Sequence, residues 1–207
     1  MRGLFIVIEG PDGSGTTRHT QLLADRLTAA KIPVLSTFEP TDGPVGSRIR
    51  SDLRSGAGFD PLSLQELFCK DRAWHLSAVI EPALAKGVMV ISDRYFHSTL
   101  AYGQALKIPK EKLEELNKKF IQPDVLFFLL PPYEVCSERM VHRETRDALE
   151  EDSIQRRVYA QYQAMAEELP SVHIIDTSGE KETVADGIFA VVEEALRHRT
   201  TNPRTEP

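Results

Sequence analysis

The sequence predicts an α/β fold, a five-stranded and mostly parallel sheet with helices on both faces, and three observations predict it. Apolar runs of strand length alternate with helical patterning along nearly the whole chain, the alternation that yields a parallel sheet. The runs are mostly continuous in apolar character, as strands buried on both faces are. The first of them breaks into a glycine-rich loop with a helical pattern directly behind it, which is the layout of a phosphate-binding loop.

In chain order, a strand at 4–9 (Leu-Phe-Ile-Val-Ile-Glu) leads through the loop into a helix at 17–30. A strand at 34–38 precedes helices at 46–55 and 63–86. Pro82 lacks an N–H and clashes with the preceding turn, so it is expected to kink or split the second of these. A strand at 88–93, a helix at 109–120 and a strand at 125–130 follow, then helices at 132–142 and 152–168, a strand at 172–176 and a helix at 182–197. There is no internal repeat and no linker that would divide domains, so residues 1–198 read as one domain with a break around 143–151. The tail 199–207 is polar, carries two prolines and is expected to be disordered.

The chain has 207 residues, 41% hydrophobic and 27% charged, which suits one globular α/β domain with a substantial core. A net charge of −6 argues against a broad nucleic-acid surface, though not against a local basic pocket. Cys69 and Cys136, the only cysteines, form neither a disulfide framework nor a zinc pattern and fit a reducing compartment. The first apolar run is too short for a signal peptide and no run has membrane-spanning length. A cytoplasmic location is the expectation.

The loop Gly10-Pro11-Asp12-Gly13-Ser14-Gly15-Thr16-Thr17 fits the spacing G-x-x-x-x-G-K-[ST] with one exception: Thr16 stands where the lysine belongs. Its glycines let successive backbone N–H groups turn inward around phosphate oxygens, and the positive end of the next helix adds to that field. Thr17 falls where the motif's hydroxyl holds Mg²⁺. A bare glycine turn between strand and helix is the plainer alternative.

In a parallel sheet, ligands bind beyond the carboxyl ends of the strands. Glu9, Glu39-Pro40 and Asp93-Arg94-Tyr95 end three of the strands, so the fold is expected to gather them on one rim. Asp93 could hold Mg²⁺ through carboxylate oxygens, and Arg94 could fork onto phosphate; a salt bridge capping the next helix is the alternative. Phe68 and Arg72 are four apart on the helix 63–86 and share a face, suited to stacking on a base and holding an anion; a core ring beside a surface cation is the plainer reading. Trp74 and His75 read as core and surface packing respectively, without a site role. Ser98, Tyr102 and Gln104 offer hydroxyls and an amide to a base or sugar, or form only a polar helix face. Arg139, Arg143, Arg146, Arg156 and Arg157 cluster around the break, either as a segment that closes over phosphates or as a solvated, salt-bridged loop.

These motifs, in this order, make the chain resemble the thymidylate kinases, among the P-loop nucleoside monophosphate kinases, over about residues 2–197. The carriers are Ile8-Glu9-Gly10-Pro11-Asp12-Gly13-Ser14-Gly15, Phe38-Glu39-Pro40-Thr41, Leu67-Phe68-Cys69-Lys70-Asp71-Arg72, Ser92-Asp93-Arg94-Tyr95, Ser98-Thr99-Leu100-Ala101-Tyr102 and Gln122-Pro123-Asp124-Val125 through Pro131-Pro132. The resemblance implies the three-layer α/β/α P-loop NTPase fold with an arginine-rich lid, and Mg²⁺-dependent phosphorylation of dTMP by ATP. It implies that residues Gly10 to Thr17 hold the donor phosphates, with Thr17 and Asp93 at the metal. It implies that Asp12 contacts the acceptor sugar, Phe68 stacks on thymine, Arg72 and Arg94 bind the acceptor phosphate, and Ser98 and Tyr102 belong to the thymidine-recognition stretch. Glu39 and Gln104 complete the acceptor candidates. The segment around Arg143 corresponds to the lid, which would supply the catalytic arginine because Asp12-Gly13 carries none; Asp12, Arg94, Arg143 and Arg146 are the catalytic candidates. A homodimer formed through helices is also implied.

The chain departs from the family pattern three times. Thr16 replaces the loop lysine, Leu129 stands where many members have an aspartate, and Gly103-Gln104 inverts the usual Gln-Gly after the tyrosine. A kinase for another pyrimidine nucleotide, a deoxynucleoside kinase with Glu39 as base, and a nucleotide-binding pseudokinase therefore stay open.

Overall fold

A computed structural model describes residues 2–55, 58–141 and 148–201. The elements are β1 (Phe5–Glu9), α1 (Thr16–Ala29), β2 (Val34–Phe38), α2 (Pro44–Ser55), α3 (Pro61–His75), a π-helical turn (Leu76–Ile80), α4 (Glu81–Ala85), β3 (Met89–Asp93), α5 (Phe96–Ala105), α6 (Lys110–Asn117), β4 (Val125–Leu129), α7 (Tyr133–Val141), α8 (Asp152–Glu168), β5 (His173–Ile175) and α9 (Lys181–Thr201). The five strands lie in the order β2-β3-β1-β4-β5 and every pairing is parallel. The α/β class and all five strands expected from the sequence are present.

The strand period of two sorts the core. Ile6 and Ile8 of β1 face one layer, with Leu23 and Leu27 of α1 and Ile188 and Val192 of α9. Phe5 and Val7 face the other, with Ile80, Leu84 and Phe96. Beside that second layer, Phe128 of β4 packs with Leu64, Tyr102, Val158 and Tyr162. β1 and β3 are buried along their whole length, whereas β2 and β5, at the sheet edges, are partly exposed.

The structure departs from the expected helices in three places. The helix expected at 63–86 is helical over 61–85 but not regular: the backbone widens into the π-helical turn directly before Pro82, a local distortion of the kind expected where proline lacks an N–H and crowds the preceding turn. α5 was not among the expected helices. It is buried on nearly every side, by Phe96, His97, Thr99, Ala101, Tyr102, Gly103 and Ala105, so it lacks the one-sided apolar stripe that marks a helix in sequence. Finally, α9 continues to Thr201, so residues 199–201 are helical, and Arg199 donates to the Arg2 carbonyl at 3.0 Å.

The register places the carboxyl ends of β1, β3 and β2 side by side, with Ile8 and Phe38 both opposite Asp93. Glu9, Glu39 and Asp93 therefore leave the sheet along one rim.

Candidate active site

The loop between β1 and α1 folds as a tight turn, with the Ser14 N–H donating to the Pro11 carbonyl at 3.2 Å. Gly13 has φ +81°, and a Cβ there would lie 2.3 Å from the Cys136 carbonyl oxygen; only glycine meets both demands. Arg139 of α7 braces the loop, donating to the Gly13 carbonyl at 3.2 Å and to the Thr177 carbonyl at 2.7 Å. An outer cavity over the loop is lined by Asp12, Gly13, Gly15, Thr16, Thr17, Arg18, Asp93, Arg94 and Arg139 among others. Gly10, Pro11 and Ser14 do not line it. Gly10 instead offers its carbonyl to Arg94, and the buried Ser14 hydroxyl has no partner.

Thr17 at the start of α1 donates its hydroxyl to Asp93 Oδ2 at 2.5 Å, while the buried Asp93 Oδ1 has no hydrogen-bond partner. A hydroxyl and a carboxylate with one unsatisfied oxygen are hard oxygen donors, and Mg²⁺ is commonly held by one or two carboxylates with substrate phosphates and water completing its shell. These residues fit that ion. No cluster of three or more His, Cys, Asp or Glu that could cage a metal occurs among the described residues.

Arg94 follows β3 with φ +70°, a conformation disfavoured for side chains bearing a Cβ and concentrated at functional positions. Its N–H donates to the Ile8 carbonyl at 2.9 Å, and its guanidinium donates to the Gly10 carbonyl at 2.8 Å and Asp12 Oδ1 at 2.7 Å. Asp12 Oδ2 accepts from the Tyr102 hydroxyl at 2.8 Å and from Gln155 Nε2 at 2.7 Å. Glu9, fully buried, accepts from the N–H groups of Tyr95 and Ser98 and from the hydroxyls of Ser98 and Tyr162. Burial still pushes its carboxyl up from the ordinary value. This network fixes α5 to the end of β1, and it carries Ser98 and Tyr102 to the cavity wall.

An inner cavity opens beside the loop, lined by Asp12, Glu39, Gln65, Phe68, Arg72, Arg94, Tyr95, Ser98, Thr99, Tyr102 and Leu149, together with Pro40 and Leu53. Asp12, Glu39 and Arg94 border both cavities. α3 supplies the far wall. Asp60 caps it by accepting from the Ser63 N–H at 2.8 Å, and Gln65, Phe68 and Arg72 follow at positions that share one helix face.

Arg72 is 1% exposed. It donates to Glu39 Oε2 at 2.9 Å, Asn117 Oδ1 at 2.7 Å and Thr99 Oγ1 at 3.1 Å, with the Tyr95 and Phe120 rings against its guanidinium. It lines the inner cavity only, beside Phe68, whereas Arg94 borders the loop. Both arginines thus line the inner cavity, and only Arg94 also borders the outer one. Glu39 lines the cavity too, but its oxygens are taken by Arg72 and by His75 Nδ1 at 3.0 Å. His75 is buried and Trp74 is 41% exposed, the reverse of the sequence expectation. His75 continues the network by bonding Thr37 through Nε2 at 2.7 Å, and Trp74 lies on the outward side of the same turn.

Gln104 also departs from expectation. Its amide donates to the Leu100 carbonyl of its own helix at 3.1 Å and lines neither cavity. A side chain at position 103 would have to displace Leu113: a Cβ on Gly103 would lie 2.5 Å from Leu113 Cδ2 of α6, and Leu113 is fully buried.

Arg143 and Arg146 lie outside the described residues. Of the neighbouring arginines, Arg156 pairs with Asp152 at 2.8 Å and Arg157 donates to the Ala105 carbonyl at 2.9 Å; neither lines the inner or the outer cavity. Sequence reasoning missed Gln65, Thr99, Asn117, Gln155 and Tyr162. Each reaches the site from a different helix turn, and apart from Thr99, which falls within the Ser98–Tyr102 stretch, no local motif marks them. Gln155, in the first turn of α8, was visible only as a polar residue on an otherwise ordinary helix.

The arrangement sets an anion-binding loop and a cation-supporting carboxylate next to a deep, aromatic and hydrogen-bonding pocket, with Arg94 between them. It suits transfer of a phosphoryl group between two bound nucleotides. The family model for thymidylate kinase matches residues 8–188. A probable thymidylate kinase of Thermococcus kodakarensis is 36% identical over 93% of this chain and 98% of its own. A thymidylate kinase of Xanthomonas oryzae is 37% identical over 95% of this chain and 86% of its own, and a probable thymidylate kinase of Pyrococcus horikoshii is 35% identical over 95% and 98%.

Proposed function

The chain belongs to the thymidylate kinase family, and from that premise we infer that it transfers the γ-phosphoryl group of ATP to dTMP, yielding dTDP and ADP. The observation that carries the reading is the pair of joined cavities, a phosphate loop on one side and an aromatic pocket on the other, with Asp12 and Arg94 bordering both. ATP occupies the outer cavity on Gly10 to Thr17. The pyrimidine nucleotide enters the inner cavity with its ring against Phe68 and its sugar and phosphate toward Asp12, Tyr102, Ser98 and Arg94. Arg72, held by Glu39, Asn117 and Thr99, lies at the base end.

Thr17 and Asp93 would hold Mg²⁺, which supplies charge neutralisation across the transferred phosphoryl oxygens. An oxygen of the acceptor phosphate attacks the γ-phosphorus in line. That oxygen is already anionic, so no general base is needed. Glu39 is therefore a positioning residue. Its engagement by Arg72 and His75 also counts against a deoxynucleoside kinase, in which a free carboxylate must take a hydroxyl proton. Thr16 leaves the loop one positive charge short, and in this reading Arg143 and Arg146, which lie outside the described residues, supply it. Phosphoryl transfer depends on placed charge rather than on one particular residue, so activity survives the loss of the lysine.

The test is ADP release with Mg²⁺ and ATP, using dTMP, dUMP, dCMP, UMP and thymidine separately as acceptors. Turnover greatest with dTMP is expected. Turnover with thymidine alone, or silence with every acceptor in protein that binds ATP, refutes the reading. At least one of Arg143→Ala and Arg146→Ala should lower kcat by about 10³-fold, the scale of a supplied arginine; no change in either removes them from the mechanism. A homodimer and a cytoplasmic location belong to the same reading, the former checked by sedimentation. No described helix is long and apolar enough to cross a membrane.

A further inference from the structure

Gln65 is 0% exposed, and neither its Nε2 nor its Oε1 has a hydrogen-bond partner. A buried amide without partners is uncommon, because each polar end loses water and gains nothing in return. Gln65 nevertheless lines the inner cavity, on the same face of α3 as Phe68 and Arg72. The amide at 104, one position beyond the glutamine of the family pattern, is folded back on Leu100. Among the described residues, the one carboxamide at the cavity without a hydrogen-bond partner is thus on another helix.

We propose that Gln65 reads the Watson–Crick edge of the acceptor pyrimidine. The proposal rests on the acceptor being a pyrimidine nucleotide, as inferred above. A carboxamide offers one acceptor and one donor side by side. The imide edge of thymine or uracil offers the complement: N3–H donates to Oε1, and Nε2 donates to a flanking ring carbonyl. With Phe68 on the ring face and Gln65 at its edge, one helix face supplies both stacking and hydrogen bonding. Turned over, the same amide would also match cytosine. Arg72 opposes that choice, since a guanidinium only donates and so favours a ring carbonyl over the cytosine amino group. Gln65 therefore demands a hydrogen-bonding pyrimidine edge, and Arg72 biases it toward the imide.

The experiment compares dTMP with N3-methyl-dTMP, which cannot donate from N3, in the wild type, Gln65→Leu, Gln65→Met and Gln104→Ala, with thermal unfolding recorded for each. The wild type should prefer dTMP in kcat/KM. In Gln65→Leu the KM for dTMP should rise about 10- to 100-fold, the scale of one buried hydrogen bond left unmade, with a smaller effect on kcat, and the preference should shrink toward unity. A merely structural role would lower the unfolding midpoint and leave the preference intact, which overturns the proposal. Loss of the preference in Gln104→Ala but not in the Gln65 variants overturns it as well. Gln65→Met, unbranched and of similar length, serves if leucine does not fold. If the wild type shows no turnover, the proposed function fails separately, and calorimetric binding of the two nucleotides still decides the role of Gln65: equal affinities, or binding of neither, overturn it.

Discussion

The two halves of the site are built to different plans. On the acceptor side, Arg72 is sealed by Glu39, Asn117 and Thr99, and Asp12 is shared by Arg94, Tyr102 and Gln155. On the donor side, Asp93 keeps one oxygen without a partner and Thr16 leaves a charge missing. Acceptor-side charges are satisfied by the protein and held in place before any ligand arrives. Donor-side groups are left to be satisfied by what binds. Such a division suits a phosphoryl-transfer enzyme. Rigid placement of the acceptor supplies orientation, while the charge that stabilises the transition state is concentrated where the phosphoryl group moves.

The comparison can be broken on each side. The largest effect is expected from Asp93→Asn, which removes charge from the donor side alone. It should lower kcat by about 10³-fold, or ~4 kcal/mol of barrier, while the unfolding midpoint stays close to wild type; a Mg²⁺ titration of ADP release together with a melting curve checks both. A large loss of stability there would show the donor side to be as structurally committed as the acceptor side. Arg72→Met attacks the acceptor side. It strands the buried Glu39 carboxylate and should destabilise the fold by about 3 kcal/mol, lowering the midpoint by roughly 6–12 °C. An unchanged midpoint would mean that the buried pair stabilises nothing.

The third effect lies under the acceptor side and is silent at neutral pH. Burial holds His97 neutral, its pKa lowered to about 3 from 6.5, with its ring stacked on Phe96 at 4.0 Å. Between those pH values the unfolded chain takes up a proton that the folded chain refuses. The stability due to the neutral ring is therefore complete above pH 6.5 and declines as pH falls toward 3, by about 1.4 kcal/mol per pH unit. His97→Phe keeps the stack and should flatten the fall of the unfolding midpoint between pH 6.5 and 4. His19, also held low by burial, leaves a residual slope. An identical slope in the variant would remove His97 from the acid response.

The fold was legible because its strands are continuous apolar runs and its loop has a fixed spacing, both local signals. The donor half of the site was legible for the same reason: Thr17 and Asp93 stand at motif positions, and the structure brings their side chains into contact. Much of the acceptor half was not. The orientation of Arg72 is set by Asn117 on α6 and Thr99 on α5, and no spacing along the chain announces a partner 45 residues away. His75 was misjudged on residue type: it lies three residues after Arg72, on the inward face of α3, so helical spacing alone would have placed it inside and Trp74 outside. Gln104 was misplaced because motif order says nothing of the helix that packs against it.

Leu113 against Gly103 has one more consequence. Because the end of the leucine side chain occupies the space a side chain at 103 would need, substitutions at 103 and 113 are coupled. A side chain at 103 requires the leucine to swing aside or become smaller, and the smaller residue alone would leave a void between α5 and α6. A path to a differently placed base-reading amide is easier through the wall formed by α3, where residue 65 already lines the inner cavity.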